Sequence, residues 1–308
     1  MKPLRALVWL AVASAALVAA CARAPAPSSQ AAVHRVVCTT FPMFLFTSNV
    51  VTGRDAVAVD SMLPAAMGCP HDYVLTPQDM QKIAGADLLV ANGLGLEAFL
   101  GEPIARANPR IRVVDASRGA GEVIWMAGEG AGDAGARVPN PHMFSSPRLA
   151  ARITRHIAAA LSGMDPEGAA LYTRNADQYA RRLEAVAAEC EAVSGSLRSR
   201  KIVTVHAVFD YFARDCGFEI AAVVEEAPGQ EPAAARMLEL VSQIRRTGAA
   251  ALFTEPQYSV RVGRTIAREA GIPDAVLDPV ASGPDAAPLD YYEQVMRANF
   301  ATLARTLR

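Results

Sequence analysis

Five histidines occur in the 308 residues of this chain, and three of them stand where an apolar, strand-like run gives way to a turn. His71 lies in Met67-Gly-Cys-Pro-His-Asp-Tyr73, and His142 lies in Pro139-Asn-Pro-His-Met-Phe-Ser-Ser-Pro147, after the strand expected near residue 112. His206 ends the run Lys201-Ile-Val-Thr-Val205, and Asp278 ends Ala275-Val-Leu277 in the same way. Pro70, Pro141 and Pro279 stiffen the backbone beside three of these four side chains. Three imidazoles and one carboxylate make a four-coordinate donor set that suits zinc. Nitrogen donors of this kind favour zinc, copper or nickel over calcium and magnesium. A manganese site would more comfortably hold a second carboxylate. Glu255, in Thr254-Glu-Pro-Gln257, is placed to come near the ion or to support one of its ligands.

Any one of these histidines alone is more simply a core or surface residue. The shared setting at strand ends, with two donors from each half, argues for a site. His34 adjoins a Pro- and Ala-rich segment and His156 falls inside a helical pattern, so neither is included. Zinc hydrolysis is a competing use of such donors. Catalytic zinc keeps a coordination position open, whereas Asp278 fills it here, so no enzyme activity is expected.

The elements that would position these donors alternate. In the first half, strands are expected over 35–39, 56–63, 87–92 and 111–115, with helices over 43–51, from Thr76-Pro77 onward, and over 146–161. In the second half, strands over 201–205, 218–224, 249–254 and 275–277 alternate with helices ending near Arg214 and over 232–246, 260–270 and 289–307. Alternation of this kind implies mostly parallel sheets flanked by helices, an α/β fold. Open sheets of that type bind ligands at the carboxyl ends of their strands, where all four donors fall. Between the halves, 166–197 reads as one Ala- and Arg-rich helix without an internal proline, a stiff connector. The expected organisation is a lobe over 34–162, a linker helix over 163–199 and a lobe over 200–308.

The start of the chain carries a different signal. A basic opening with Lys2 and Arg5 leads into an apolar run to Ala20 and then Cys21. The run is short for a spanning helix and reads as a secretory signal over 1–20. Val18-Ala-Ala-Cys21 looks like a lipobox, with Cys21 as the lipidated residue, and 21–33 suits a flexible tether. The body would then lie outside the cytoplasm, anchored to a membrane, where disulfides are permitted. Cys38, Cys69, Cys190 and Cys216 allow three full pairings, of which Cys38–Cys69 with Cys190–Cys216 is the most local. Four buried free thiols are an equal alternative. The formal charge of −1, with no basic stretch, excludes nucleic acid as a partner.

Taken together, the motifs around His71, His142 and His206, with Ala91-Asn-Gly-Leu-Gly-Leu-Glu97 and Thr254-Glu-Pro-Gln257, resemble the zinc/manganese-binding solute-binding proteins of ABC importers. The resemblance spans nearly the whole chain after the tether. It implies two α/β lobes joined by one long rigid helix, a metal held between them by His71, His142, His206 and Asp278, and delivery to a membrane permease by a monomeric carrier. Histidine at position 206 resembles the zinc binders, and manganese binders often carry glutamate there. Manganese carriage or an adhesin role are the alternatives that the family offers. Two departures stand out. The segment 119–138 is glycine-rich and lacks histidine, so it is expected to be a surface loop and no metal collector. Cys69, two residues before His71, replaces the usual small residue, and a thiolate ligand there is the less favoured reading beside a disulfide or buried thiol.

Overall fold

The computed structural model describes residues 33–68, 70, 73–127, 137–225 and 232–308. In the first half, β1 (His34–Cys38), β2 (Val57–Ser61), β3 (Leu88–Ala91) and β4 (Arg112–Asp115) form a parallel sheet in the order β2-β1-β3-β4. A short antiparallel ribbon of β5 (Trp125–Ala127) and β6 (Arg137–Pro139) follows. In the second half, β7 (Lys201–Thr204), β8 (Glu219–Val223), β9 (Ala251–Thr254) and β10 (Asp274–Val276) repeat that order in a second parallel sheet. Central strands β3 and β9 are buried along their whole length, as expected where helices cover both faces.

The helices of the first half are α1 (Phe41–Val51), α2 (Pro77–Ala84), α3 (Gly101–Ala107) and α4 (Pro147–Met164). The helix expected from Thr76-Pro77 forms, because Thr76 and Asp79 cap each other's backbone N–H groups and Pro77 occupies the first turn. Ser146 likewise caps α4 by accepting from the Leu149 N–H. Helix α3 and the 3-10 turn before it were not visible as periodic apolar sequence; Gly101-Glu-Pro buries no residue fully in α3. The expected surface loop over 119–138 is corrected at its ends, where β5 and β6 pair, and 128–136 lie outside the described residues.

Helix α5 (Ala169–Gly195) is the long connector, 27 residues and about 40 Å at 1.5 Å per residue. A 3-10 turn over Pro166–Gly168 precedes it. Tyr172, Ala176, Tyr179, Ala180, Leu183, Val186, Ala187 and Cys190 form its buried stripe at helical spacing. That stripe packs against α1 and α4 of the first half and against α6 (Asp210–Cys216) and α9 (Tyr291–Thr306) of the second. One apolar core therefore runs through both halves, including Phe46, Leu161, Leu183, Phe212, Met296 and Phe300. Smaller outer cores lie under α2 and α3 on one side, and under α7 (Ala234–Thr247) and α8 (Arg261–Ala270) on the other.

Cys190 and Cys216 are joined, tying the end of α5 to α6. The Cys38–Cys69 pairing is corrected: Cys38 is a buried free thiol, because the end of β1 turns it inward toward Thr47 of α1. Cys69 itself lies outside the described residues, as do Cys21, the signal over 1–20 and the tether up to residue 32.

Arg54, just after α1, makes two parallel hydrogen bonds to Asp165 at the α4–α5 turn, at 2.8 and 2.9 Å. The Tyr172 hydroxyl donates to the same carboxylate. These bonds, the Arg54 guanidinium first, hold the Asp165 carboxyl down to about 2. A depressed carboxyl stabilises the fold above its unfolded value near 3.9 and loses that contribution as pH falls toward 2. Asp165→Asn should therefore cost about 2 kcal/mol at pH 7. Thermal melts of both proteins between pH 7 and pH 2 should show the difference shrinking toward the acid end.

Candidate metal centre

His142 follows β6 by three residues, two strands later in the chain than the strand near residue 112 that was expected to precede it. It is fully buried, and a 3-10 turn over Met143–Ser145 leads from it into α4. His206 stands two residues beyond β7 and is 4% exposed. Although they come from different halves, the two imidazoles meet edge to face with ring centroids 4.8 Å apart. Glu255 follows β9, is 1% exposed, and places Oε2 3.5 Å from Nδ1 of His206. Gln257 holds that oxygen by donating from Nε2 at 2.6 Å.

Asp278 lies two residues beyond β10. Its Oδ1 accepts from the Val280 N–H at 2.8 Å, and its backbone N–H and carbonyl are both paired with the Asn299 amide. Val280 takes a left-handed φ of 63°, costly for a β-branched residue, and the short Asx turn it closes fixes the carboxylate. Burial pushes the Asp278 carboxyl up, and the charge of Glu255 adds to that. Glu255 thus stands in electrostatic reach of Asp278 and next to His206. His71 lies outside the described residues. Among the described residues alone, no three His, Cys, Asp or Glu side chains form a group that could hold an ion.

Several residues that steer the donors were not singled out by the sequence pattern. The Asn140 Oδ1 accepts from both the backbone N–H and Nδ1 of His142, at 3.0 and 2.9 Å. The other face of that amide donates to two oxygens, Ala207 O and Asp210 Oδ2, so its oxygen must be the one facing His142. The imidazole is therefore protonated on Nδ1 and turns Nε2 to the site, the arrangement a metal-ligating histidine needs. Asn92 braces the same segment by donating to the Pro141 carbonyl at 2.9 Å. Asn92 is held in turn by Glu97, whose carboxylate accepts from the N–H groups of Asn92 and Gly93 and from the Thr39 hydroxyl. Gly93 is required there: at φ +89° a Cβ would lie 1.9 Å from Asp115 Oδ1. The Ala91–Glu97 motif was legible as a signature, and its task is to hold the chain behind His142.

The family profile described as "Zinc-uptake complex component A periplasmic" matches residues 36–306. The chain belongs to this zinc-uptake family. Among its relatives, the zinc-binding protein AdcA of Streptococcus pyogenes is 29% identical over 292 residues, covering 88% of this chain and 56% of AdcA. The chain thus spans about half the length of that relative. The high-affinity zinc uptake system protein ZnuA of Bacillus subtilis is 28% identical, covering 85% of this chain and 84% of ZnuA. Among solved structures, the solute-binding protein FpvC from Pseudomonas aeruginosa in complex with Mn2+ superposes with a TM-score of 0.79 at 30% identity, covering 89% of this chain and 98% of FpvC. The zinc-uptake family is one of solute-binding transport components, and the α/β fold with paired parallel sheets and a long helix agrees with its solved members. No helix among the described residues is long and apolar enough to cross a membrane.

Glu97→Gln tests the brace. Each carboxylate oxygen accepts from a backbone N–H, so the amide would set an NH2 against an N–H donor. Urea unfolding should show a loss of about 1–3 kcal/mol. An unchanged midpoint would mean that Glu97 does not hold the loop.

Proposed function

We propose that this protein captures one zinc ion outside the cytoplasm and hands it to the permease of an ABC importer. The ion is carried cargo, held by His71, His142, His206 and Asp278 in a cleft between lobes 34–162 and 200–308, with 163–199 as the connector. Lipid on Cys21 tethers the carrier, as a monomer, to a membrane, and no catalysis is involved. The observation that carries this reading is the meeting of His142 and His206, buried and 4.8 Å apart between ring centroids, from different halves of the chain. Each is fixed by a neighbour acting on Nδ1: Asn140 for His142 and Glu255 for His206. Two imidazoles at such a distance present the nitrogen donors that zinc prefers. Names of relatives in the zinc-uptake family agree with this cargo.

Manganese is the second reading, and one observation favours it. Glu255 puts a second buried carboxylate beside Asp278 and His206, which offers the harder oxygen donors that manganese accepts. The solved FpvC complex with Mn2+ is in keeping with that alternative.

Ligands from both lobes would hold the cleft closed around the ion. The shared core along α5 limits opening to a small tilt or a local rearrangement. Release then needs a partner to act on the closed form. Histidines must be neutral to bind, so affinity should fall on acidification.

Native mass spectrometry with elemental analysis checks the assignment. Metal-replete wild type should carry one zinc per chain at pH 7.5 and lose it on acidification. His142→Ala should carry far less at equal total metal. Wild type that holds no metal without chelators present would defeat the carrier reading, and preferential retention of manganese from an equimolar mixture would select the second.

A further inference from the structure

Asn140 is fully buried and all of its polar groups are engaged. Its backbone N–H donates to Ile124 O, and its carbonyl accepts from the Tyr211 hydroxyl at 2.8 Å. The Tyr211 hydroxyl in turn accepts from the Ile124 N–H. The side-chain amide spans the two halves. Its oxygen holds His142, while its nitrogen donates at 2.7 Å to the carbonyl of Ala207, the residue after His206, and at 2.8 Å to Asp210, which opens α6. A primary amide is planar, so the two ends cannot turn independently. Drawing the second half away from Ala207 and Asp210 removes both acceptors from the nitrogen, and the amide is then free to rotate. Rotation takes the oxygen off Nδ1 of His142, and the imidazole loses the partner that keeps Nε2 aimed inward.

We propose that Asn140 is a positioning residue that couples retention of the metal to closure of the two halves: while the halves are shut it locks His142 in the ligating orientation, and parting them at this edge unlocks it. The proposal rests on the carrier reading above. It gives the permease a simple means of release, since a small displacement of α6 would lower affinity at a histidine on the other lobe without touching that histidine. Asp210 holds one arm of the amide, and Ala207 O holds the other through the backbone that follows His206.

The test measures zinc dissociation from the full-length protein into an excess of a chromophoric chelator by stopped flow. The proteins are wild type, Asn140→Ala, Asp210→Ala and the double variant. Loss of a group that orients a metal-ligating histidine weakens binding by about 10–100-fold. Asn140→Ala should accelerate release by about that factor, and Asp210→Ala by a smaller one. The double variant should release zinc no more than about twofold faster than Asn140→Ala, because the Asp210 effect passes through the Asn140 amide. Merely local damage at two places would multiply, and a multiplied rate would overturn the coupling. So would Asn140→Ala releasing zinc at the wild-type rate. If thermal melts show that Asn140→Ala does not fold, Asp210→Ala carries the test alone: faster release supports the proposal and an unchanged rate sinks it. Wild type that binds no zinc fails the carrier reading itself, and the coupling with it. Wild type that binds zinc beside insensitive variants fails only the coupling.

Discussion

Everything at the site depends on one packing fact: helices of both halves rest on the same long helix. The 27-residue helix α5 buries one stripe against α1 and α4 of the first half and α6 and α9 of the second. The last helix then crosses back. The Tyr292 hydroxyl donates to Phe144 O, Asn49 donates to Leu289 O, and Phe41 and Tyr291 meet edge to face at 5.6 Å. Separating the halves widely would expose this common core at about 2.5 kcal/mol per 100 Å² of apolar surface. The carboxyl ends of two sheets are therefore held toward each other before any ligand arrives. Pre-placement of that kind lets histidines 64 positions apart in sequence, 142 and 206, share one small volume.

Strand order explains which residues arrive there. Each sheet runs 2-1-3-4 by order of appearance, so each reverses direction of growth between its first and third strands. Crevices open at that reversal. In the first sheet the reversal lies between β1 and β3, whose ends supply Thr39 and Asn92, the parts of the brace behind His142. In the second it lies between β7 and β9, whose ends supply His206 and Glu255. The same architectural position carries the brace behind His142 in one half and a candidate donor, His206, in the other. His142 reaches the site by a different route, on the ribbon of β5 and β6, which explains why an extra pair of short strands follows the first sheet.

Much of this was legible in the sequence because the signals were local. Periodic apolar runs marked the eight parallel strands, and the uninterrupted stretch after Pro166 marked α5. Thr76 and Pro77 marked a helix start through capping chemistry that the structure realises. What stayed hidden was non-local. Strands β5 and β6 are three residues each, too short to show alternation, and they interrupt what reads as a Gly-rich loop. Helix α3 is short and half exposed, so no apolar stripe announces it. The role of Asn140 depends on Ala207 and Asp210, some 70 residues away, and no spacing rule joins them. Cys38 was misjudged for a similar reason: pairing by proximity in sequence ignores which face of β1 a side chain occupies.

That same cysteine bears on how the disulfide is kept. A reactive free thiol beside a disulfide invites scrambling, because a thiolate attacks existing disulfides. Burial pushes the Cys38 thiol up to about 12, far from the range in which thiolate forms. Once β1 and α1 have docked, Cys38 is chemically silent and cannot compete for the bond between Cys190 and Cys216. In the folded chain the amino-terminal sheet and α1 thus keep this thiol apart from the Cys190–Cys216 bond.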